Sequence, residues 1–272
     1  MPRRLLYTFF LGSLLLDALP APAQSDLERG WQFFYRGEYG LAAQAFERAA
    51  AEPASHVGQS LALEEMGEYD RARSVVADEH AKTPAAELAN RLGEIALRLG
   101  EQTEALRYFN DALRLNSDYR PGQLNAAILQ WHRGERAAAR RALLPFLDFY
   151  QTAKQLTAAD RVMVARACVY LERYKDADRL FQEAIKQEPD KWTLYIPWGD
   201  LYLEKYNVAD GRSIYQDAIK RNPRAVPALC GLARCLATEN MREALAVAQR
   251  ALTLNPNSAG PRDIGRASSR DE

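Results

Sequence analysis

Three histidines, three cysteines and a few neighbouring carboxylates are the residues of this chain that could do chemistry. Metal binding or hydrolysis would need several of them at fixed spacing on one element. His56, His80 and His132 instead stand alone, with no His-Glu-x-x-His and no clustered ligands. Cys168, Cys230 and Cys235 are odd in number and form no Cys-x-x-Cys. Cys230 and Cys235 fall five apart in a predicted helix, so they point to different faces and do not pair readily. They read as small core residues, a free reactive thiol being the alternative. No glycine-rich phosphate loop and no Gly-x-Ser-x-Gly elbow is present. Glu64, Glu65 and Glu183 read as solvated helix faces, and His132, after Trp131, as a surface histidine. The residues therefore predict no active site, no cofactor and no metal.

What the chain does contain is a repeated pair of helices. From Pro197 to Pro223, Trp198, Leu201 and Tyr202 recur at helical spacing, and Asn207 breaks the pattern. Ile214, Tyr215, Ala218 and Ile219 then form a second stripe, which Asn222-Pro223 stops. The second-helix anchors recur as Ala42/Phe46/Ala49, Ala72/Val76/Glu79, Ala105/Phe109/Ala112 and Ala139/Leu143/Phe146, then Ala177/Phe181/Ala184, Gly211/Tyr215/Ala218 and Ala244/Ala248/Ala251. Their first residues are separated by 30, 33, 34, 38, 34 and 33 residues. Glycines at Gly37, Gly67, Gly100 and Gly134 fall between first and second helices, and Pro53, Pro84, Pro189, Pro223 and Pro256 follow second helices. First helices carry a small residue at Gly30, Ser60, Gly93, Ala127, Ala165, Gly199 and Ala233, which lets the facing helix approach closely.

Composition and the amino terminus bound where such an array works. The 272 residues are 47% hydrophobic, with 36 basic against 36 acidic side chains, too balanced for a nucleic-acid binder. Arg3 and Arg4 precede an apolar run from Leu5 to Leu16, and Ala21-Pro22-Ala23 supplies a small-x-small site. Residues 1–23 thus read as a secretory signal cut after Ala23, with retention as a membrane anchor the alternative. The run is shorter than the roughly 20 residues a span needs. The expectation is an exported chain, periplasmic or in the cell envelope, touching the membrane through its signal alone.

The period, the turn glycines and the helix-stopping prolines resemble the tetratricopeptide repeat. The resemblance covers residues 24–256 and implies an all-α solenoid of about seven helix-turn-helix units in a right-handed superhelix. Two departures stand out. The second unit has Glu79 where alanine is usual, and Pro145 lies inside the fourth unit's second helix, predicting a kink, an extended helix or a following loop. The last repeats, LYLEKYNVADGRSIYQDAIKRNP and then ALCGLARCL, are similar to those of large bacterial proteins with a metallopeptidase-like domain after the array. Residues 257–272 show no helical period and read as a disordered tail or the truncated end of a longer protein.

In this family the first helices line a concave wall. Carried over, that pattern assigns the wall to Trp31 and Phe34, to Asn90, Glu94 and Arg98, to Asn125 and His132, to Arg166 and Tyr170, to Asp200 and Glu204, and to Arg234. The mixed signs imply a protein or peptide partner rather than nucleic acid. The basic-plus-asparagine clamp of some family members is not reproduced. In the run Trp31–Tyr35, Phe33 and Trp31 suffice for the core, which leaves Phe34 and Tyr35 either at an exposed rim or packed on the mature amino terminus and the second unit. The implied function is a non-catalytic binding scaffold of the bacterial envelope. The alternatives are the amino-terminal repeats of a larger exported protein and an envelope assembly factor.

Overall fold

Short polar side chains set the helix starts. Ser25 with Glu28 and Thr157 with Asp160 form capping boxes, while Asn207 and Asn240 accept from the third backbone N–H of their helices. Pro53, Pro121 and Pro227 sit in first turns, where a missing N–H costs nothing. In this computed structural model residues 25–49 and 52–258 are described, and their regular structure is entirely helical. The signal assigned to residues 1–23, and the tail beyond Ser258, lie outside the described residues.

The helices pack as consecutive pairs. Unit 1 is α1 (Asp26–Tyr35) with α2 (Tyr39–Arg48), unit 2 is α3 (Pro53–Glu65) with α4 (Tyr69–Lys82), and unit 3 is α5 (Ala86–Arg98) with α6 (Gln102–Leu115). Unit 4 pairs α7 (Arg120–His132) with a broken second helix, α8 (Arg136–Leu143) and α9 (Pro145–Thr152). Unit 5 is α10 (Ala158–Tyr170) with α11 (Tyr174–Gln187). A 3-10 turn, Trp192–Leu194, leads into unit 6, α12 (Tyr195–Lys205) with α13 (Val208–Arg221). Unit 7 is α14 (Val226–Leu236) with α15 (Met241–Leu254). This is the expected all-α solenoid.

Large rings held between glycines set the stacking distance. A Cβ on Gly30 or Gly58 would lie 2.6 or 2.5 Å from the Phe46 ring, and one on Gly199 or Gly231 would lie 2.6 or 2.3 Å from Tyr215. Each ring thus fills the gap between its own unit's first helix and that of the next unit. In unit 2 the ring meets Gly58, whereas Ser60, the small residue singled out by the pattern, bonds Arg91 instead. Glu79 stands on the surface with His56 at 3.8 Å and Lys82 at 3.9 Å, so it costs unit 2 no core volume. Pro145 breaks the unit 4 helix after Leu144, and residues 153–157 connect it to the Thr157 cap.

The array also bends until its two ends meet. Asn222, at the end of unit 6, donates from Nδ2 to the Tyr39 hydroxyl of unit 1 at 2.8 Å. Asn255, at the end of unit 7, does the same to Tyr69 of unit 2 at 3.3 Å and to the Glu64 carbonyl at 2.9 Å. Asn257 adds a bond to the Gly67 carbonyl at 2.9 Å. Gly37 and Gly67, at φ +76° and +82°, lie directly under Asn222 and Asn255, so a side chain there would suffer both strain and a clash. Between these contacts Phe34 stacks on Trp192, centroids 5.8 Å apart. Phe34 is 3% and Trp192 2% exposed. The exposed-rim reading of Phe34 is therefore corrected: it is buried, and its neighbour comes from the chain just before unit 6.

Gly231→Val should overpack the Tyr215 ring and cost about 1–3 kcal/mol. Urea unfolding followed by circular dichroism measures this, and an unchanged midpoint would contradict the glycine-sandwich account.

Candidate peptide-binding face

The first helices present a polar ladder to the inside of the turn. Glu64 on α3 pairs with Arg91 on α5 and, at 2.8 Å, with Arg98. Arg91 also donates from Nε to Ser60 at 3.1 Å and pairs with Glu94 at 3.2 Å. Asn90 donates to Glu94 at 2.9 Å, and Asn125 on α7 donates to Asn90 at 3.0 Å and Glu94 at 3.1 Å. Arg166 on α10 reaches the Asn125 side-chain oxygen at 3.5 Å. His132 and the Tyr170 hydroxyl lie 3.1 Å apart. Further round, the Tyr215 hydroxyl donates to Asp200 at 2.6 Å, and Arg234 lies 3.5 Å from the same carboxylate.

Burial sorts these residues into two groups. Asn90 and Asn125 are buried within the ladder, so they hold helices together and leave Arg98, Glu204 and Arg234 exposed, with Arg166 and Tyr170 half-buried beside them. Trp31 is half-buried, edge-on to Phe46 at 5.0 Å, and Phe34 is closed into the junction of the two ends. The reading of Glu64 as a solvated carboxylate is corrected: it is 3% exposed and clamped between two arginines. Two cavities open on the wall. One, of about 360 Å3, lies between units 2 and 3 on one side and units 6 and 7 on the other. The other, of about 280 Å3, is lined by Arg166, Tyr170 and Glu204; Asp200 and Arg234 border both.

Electrostatics follow from this mixture of burial and pairing. Burial alone would raise Glu64, but Arg91 and Arg98 outweigh it and hold the carboxyl below its ordinary value. Asp200 moves the other way, raised by burial despite Tyr215 and Arg234. Burial also lowers Arg166, whose nearest opposing influence is Glu94. The Cys168 and Cys235 thiols are pushed up to about 11 by burial, which makes them poor nucleophiles at neutral pH. No group of three or more metal-ligating side chains occurs among the described residues. What the wall offers is hydrogen-bond donors and acceptors of both signs along a curved surface.

A family profile described as tetratricopeptide repeat matches residues 57–120 and 196–259, which are units 2 and 3 and units 6 and 7. The chain is a tetratricopeptide repeat protein. A tetratricopeptide repeat protein from Parabacteroides merdae superposes with a TM-score of 0.52 at 16% identity, over 88% of this chain and 95% of that one. A thermophilic tetratricopeptide repeat protein of Thermus thermophilus matches at 23% identity over 65% of this chain and 97% of that one, with a TM-score of 0.49. The first of these likenesses supports the solenoid fold alone. No curated relative matches the chain in sequence.

As a tetratricopeptide protein the chain has two features that helix periodicity does not reveal. The buried Glu64–Arg91 pair joins units 2 and 3, and Trp192 sits in a connection that carries no repeat position. For the first, the available signal is oppositely charged residues on successive first helices, Glu64 followed by Arg91 and Arg98.

Glu64→Gln removes the buried charge partner of Arg91 and leaves it only the more exposed Glu94 at 3.2 Å, a loss of about 3 kcal/mol. Because the Glu64 carboxyl is held below its ordinary value, its stabilisation is present above the ordinary carboxylate range and is lost as pH falls through the folded value. Thermal melts from pH 7 downward should show a shallower acid limb in the variant. An acid limb identical to wild type would overturn the assignment.

Proposed function

We propose that this protein is a non-catalytic scaffold that binds an extended polypeptide along its concave wall. The observation that carries this reading is the set of accessible side chains bordering the two cavities: Arg98, Arg166, Tyr170, Glu204 and Arg234. Cations, a carboxylate and a phenol alternate along the wall, which suits a peptide bearing both charges and its own backbone donors and acceptors. A single-sign ligand such as a nucleic-acid backbone would meet Asp200 and Glu204 as repulsive groups. Tetratricopeptide scaffolds bind protein or peptide partners, which fits the same reading.

The signal-like residues 1–23 assign the work to the periplasm or cell envelope. A second reading, that these units are the repeat region of a larger exported protein, is favoured by the outer face of α15. Leu245 is 39% exposed there and Leu252 only half-buried, an apolar stripe that another unit would cover.

Tyr170→Ala/Glu204→Ala/Arg234→Ala changes accessible wall residues. With helical circular dichroism unchanged, the triple variant should bind envelope-derived peptides on an array at least about tenfold more weakly, the equivalent of 1.4 kcal/mol. Equal binding by variant and wild type would sink the wall as the binding face. Export is tested separately by fractionating tagged protein; a full-length cytoplasmic product would contradict it.

A further inference from the structure

Glu65 ends α3, where the closed turn brings unit 7 against unit 2. Its carboxyl lies against the amino terminus of α14, whose Val226 N–H pulls its pKa down while burial pushes it up. That helix has Ala225 at its N-cap and no side-chain cap of its own. A carboxyl from a helix five units earlier therefore faces the positive end of that helix. Its Oε2 is sealed from solvent and has no hydrogen-bond partner. A sealed carboxyl oxygen without a partner exists here only because the two ends meet.

The groups around it leave Glu65 as the titrating member of the junction. Glu64 faces it from its own helix, Tyr39 from α2, Tyr69 from α4, Arg91 and Arg98 from α5, and Cys230 from α14. Arg98 is committed to Glu64 at 2.8 Å, and Arg91 to Glu64 and Glu94. Burial raises Tyr39, Tyr69 and Cys230, so all three stay protonated near neutrality. Asp200 lines the same cavity but bonds Tyr215 and Arg234. The histidines lie elsewhere, beside Glu79, Asp111 and Tyr170.

We propose that the junction is a proton-linked closure, in which Glu65 takes up a proton as unit 7 docks on unit 2 and releases it as the turn opens. In the closed turn burial pushes the Glu65 carboxyl up to about 7, with Glu64 adding repulsion and Arg98 opposing both. In an open turn the side chain is solvated and returns to the ordinary carboxylate range. The closed state holds the proton more tightly, so closure is strongest below that ordinary range and weakens as pH rises through about 7. Between pH 5 and pH 8 the closing equilibrium falls on the order of 50- to 100-fold. Acid thus shuts the turn over its inner wall and neutral-to-alkaline conditions free it, whatever the wall binds.

The test uses the full chain with 13C-labelled glutamate side chains, the Glu65 resonance being the one lost in Glu65→Gln. Wild type should titrate near 7, and Asn222→Ala/Asn255→Ala, which lacks two of the three cross-turn amides, in the ordinary carboxylate range. Should that variant lose its helical signal, Tyr39→Phe/Tyr69→Phe removes the Asn222–Tyr39 and Asn255–Tyr69 bonds from the other side. Small-angle scattering should give wild type a larger radius of gyration at pH 8 than at pH 5, with Glu65→Gln compact at both. Ordinary titration in wild type, identical titration in the opened variant, or a wild-type radius that ignores pH would each overturn the proposal.

Discussion

Each of two asparagines serves its own chain and a distant one at once. The Asn222 side-chain oxygen accepts from the Arg224 N–H at 2.9 Å, turning the chain into unit 7, while its amide crosses to Tyr39. Asn255 repeats this, accepting from the Asn257 N–H at 3.1 Å and donating to Tyr69 and the Glu64 carbonyl. Both side chains are essentially without solvent exposure, so an unmet amide would be costly. The requirement that both ends of each amide be satisfied fixes how far the solenoid curves. It places unit 6 on unit 1 and unit 7 on unit 2 in the same register.

That curvature decides what the inner wall can be. An open solenoid exposes a long groove, whereas a turn that closes on itself faces its first helices toward one another across a small interior. Here the interior carries ion pairs beside apolar side chains such as Ile196 and Val226. Glu64, Arg91, Glu94, Asn90 and Asn125 satisfy one another from unit 2 to unit 4. A buried network of this kind adds little net stability over apolar packing but is expensive to leave half-made. It therefore specifies one relative placement of the first helices and leaves the outer members of the ladder free to meet a ligand.

Much of this was legible in the sequence, and the rest has a common physical reason for being hidden. Helix pairs, turn glycines, the break at Pro145 and the facing of Gly30 with Phe46 all follow from spacing within a few dozen residues. Phe34 and Glu64 read differently in sequence and structure, and Trp192 carries no repeat position at all, because their burial depends on superhelical pitch. Pitch is the sum of small rotations over several units, and no local pattern contains it. One trace of closure is present nonetheless. Gly-Glu-Tyr occurs at the turns of units 1 and 2 alone, and Asn-Pro at the ends of units 6 and 7 alone. Those are the four places that touch. Of the wall residues read from the repeat pattern, the ladder gathers Asn90, Glu94, Arg98, Asn125 and Arg166, whereas Phe34 belongs to the junction.

Closure of the turn is the claim on which the rest depends, and an intramolecular distance tests it most directly. Glu38 and Arg224 are exposed residues flanking the Tyr39–Asn222 contact from opposite ends of the array. With the three native cysteines replaced by serine and spin labels at these two positions, pulsed electron resonance at pH 5 should return a single short, narrow distance. A broad distribution centred far beyond contact range would show an open solenoid and contradict the account.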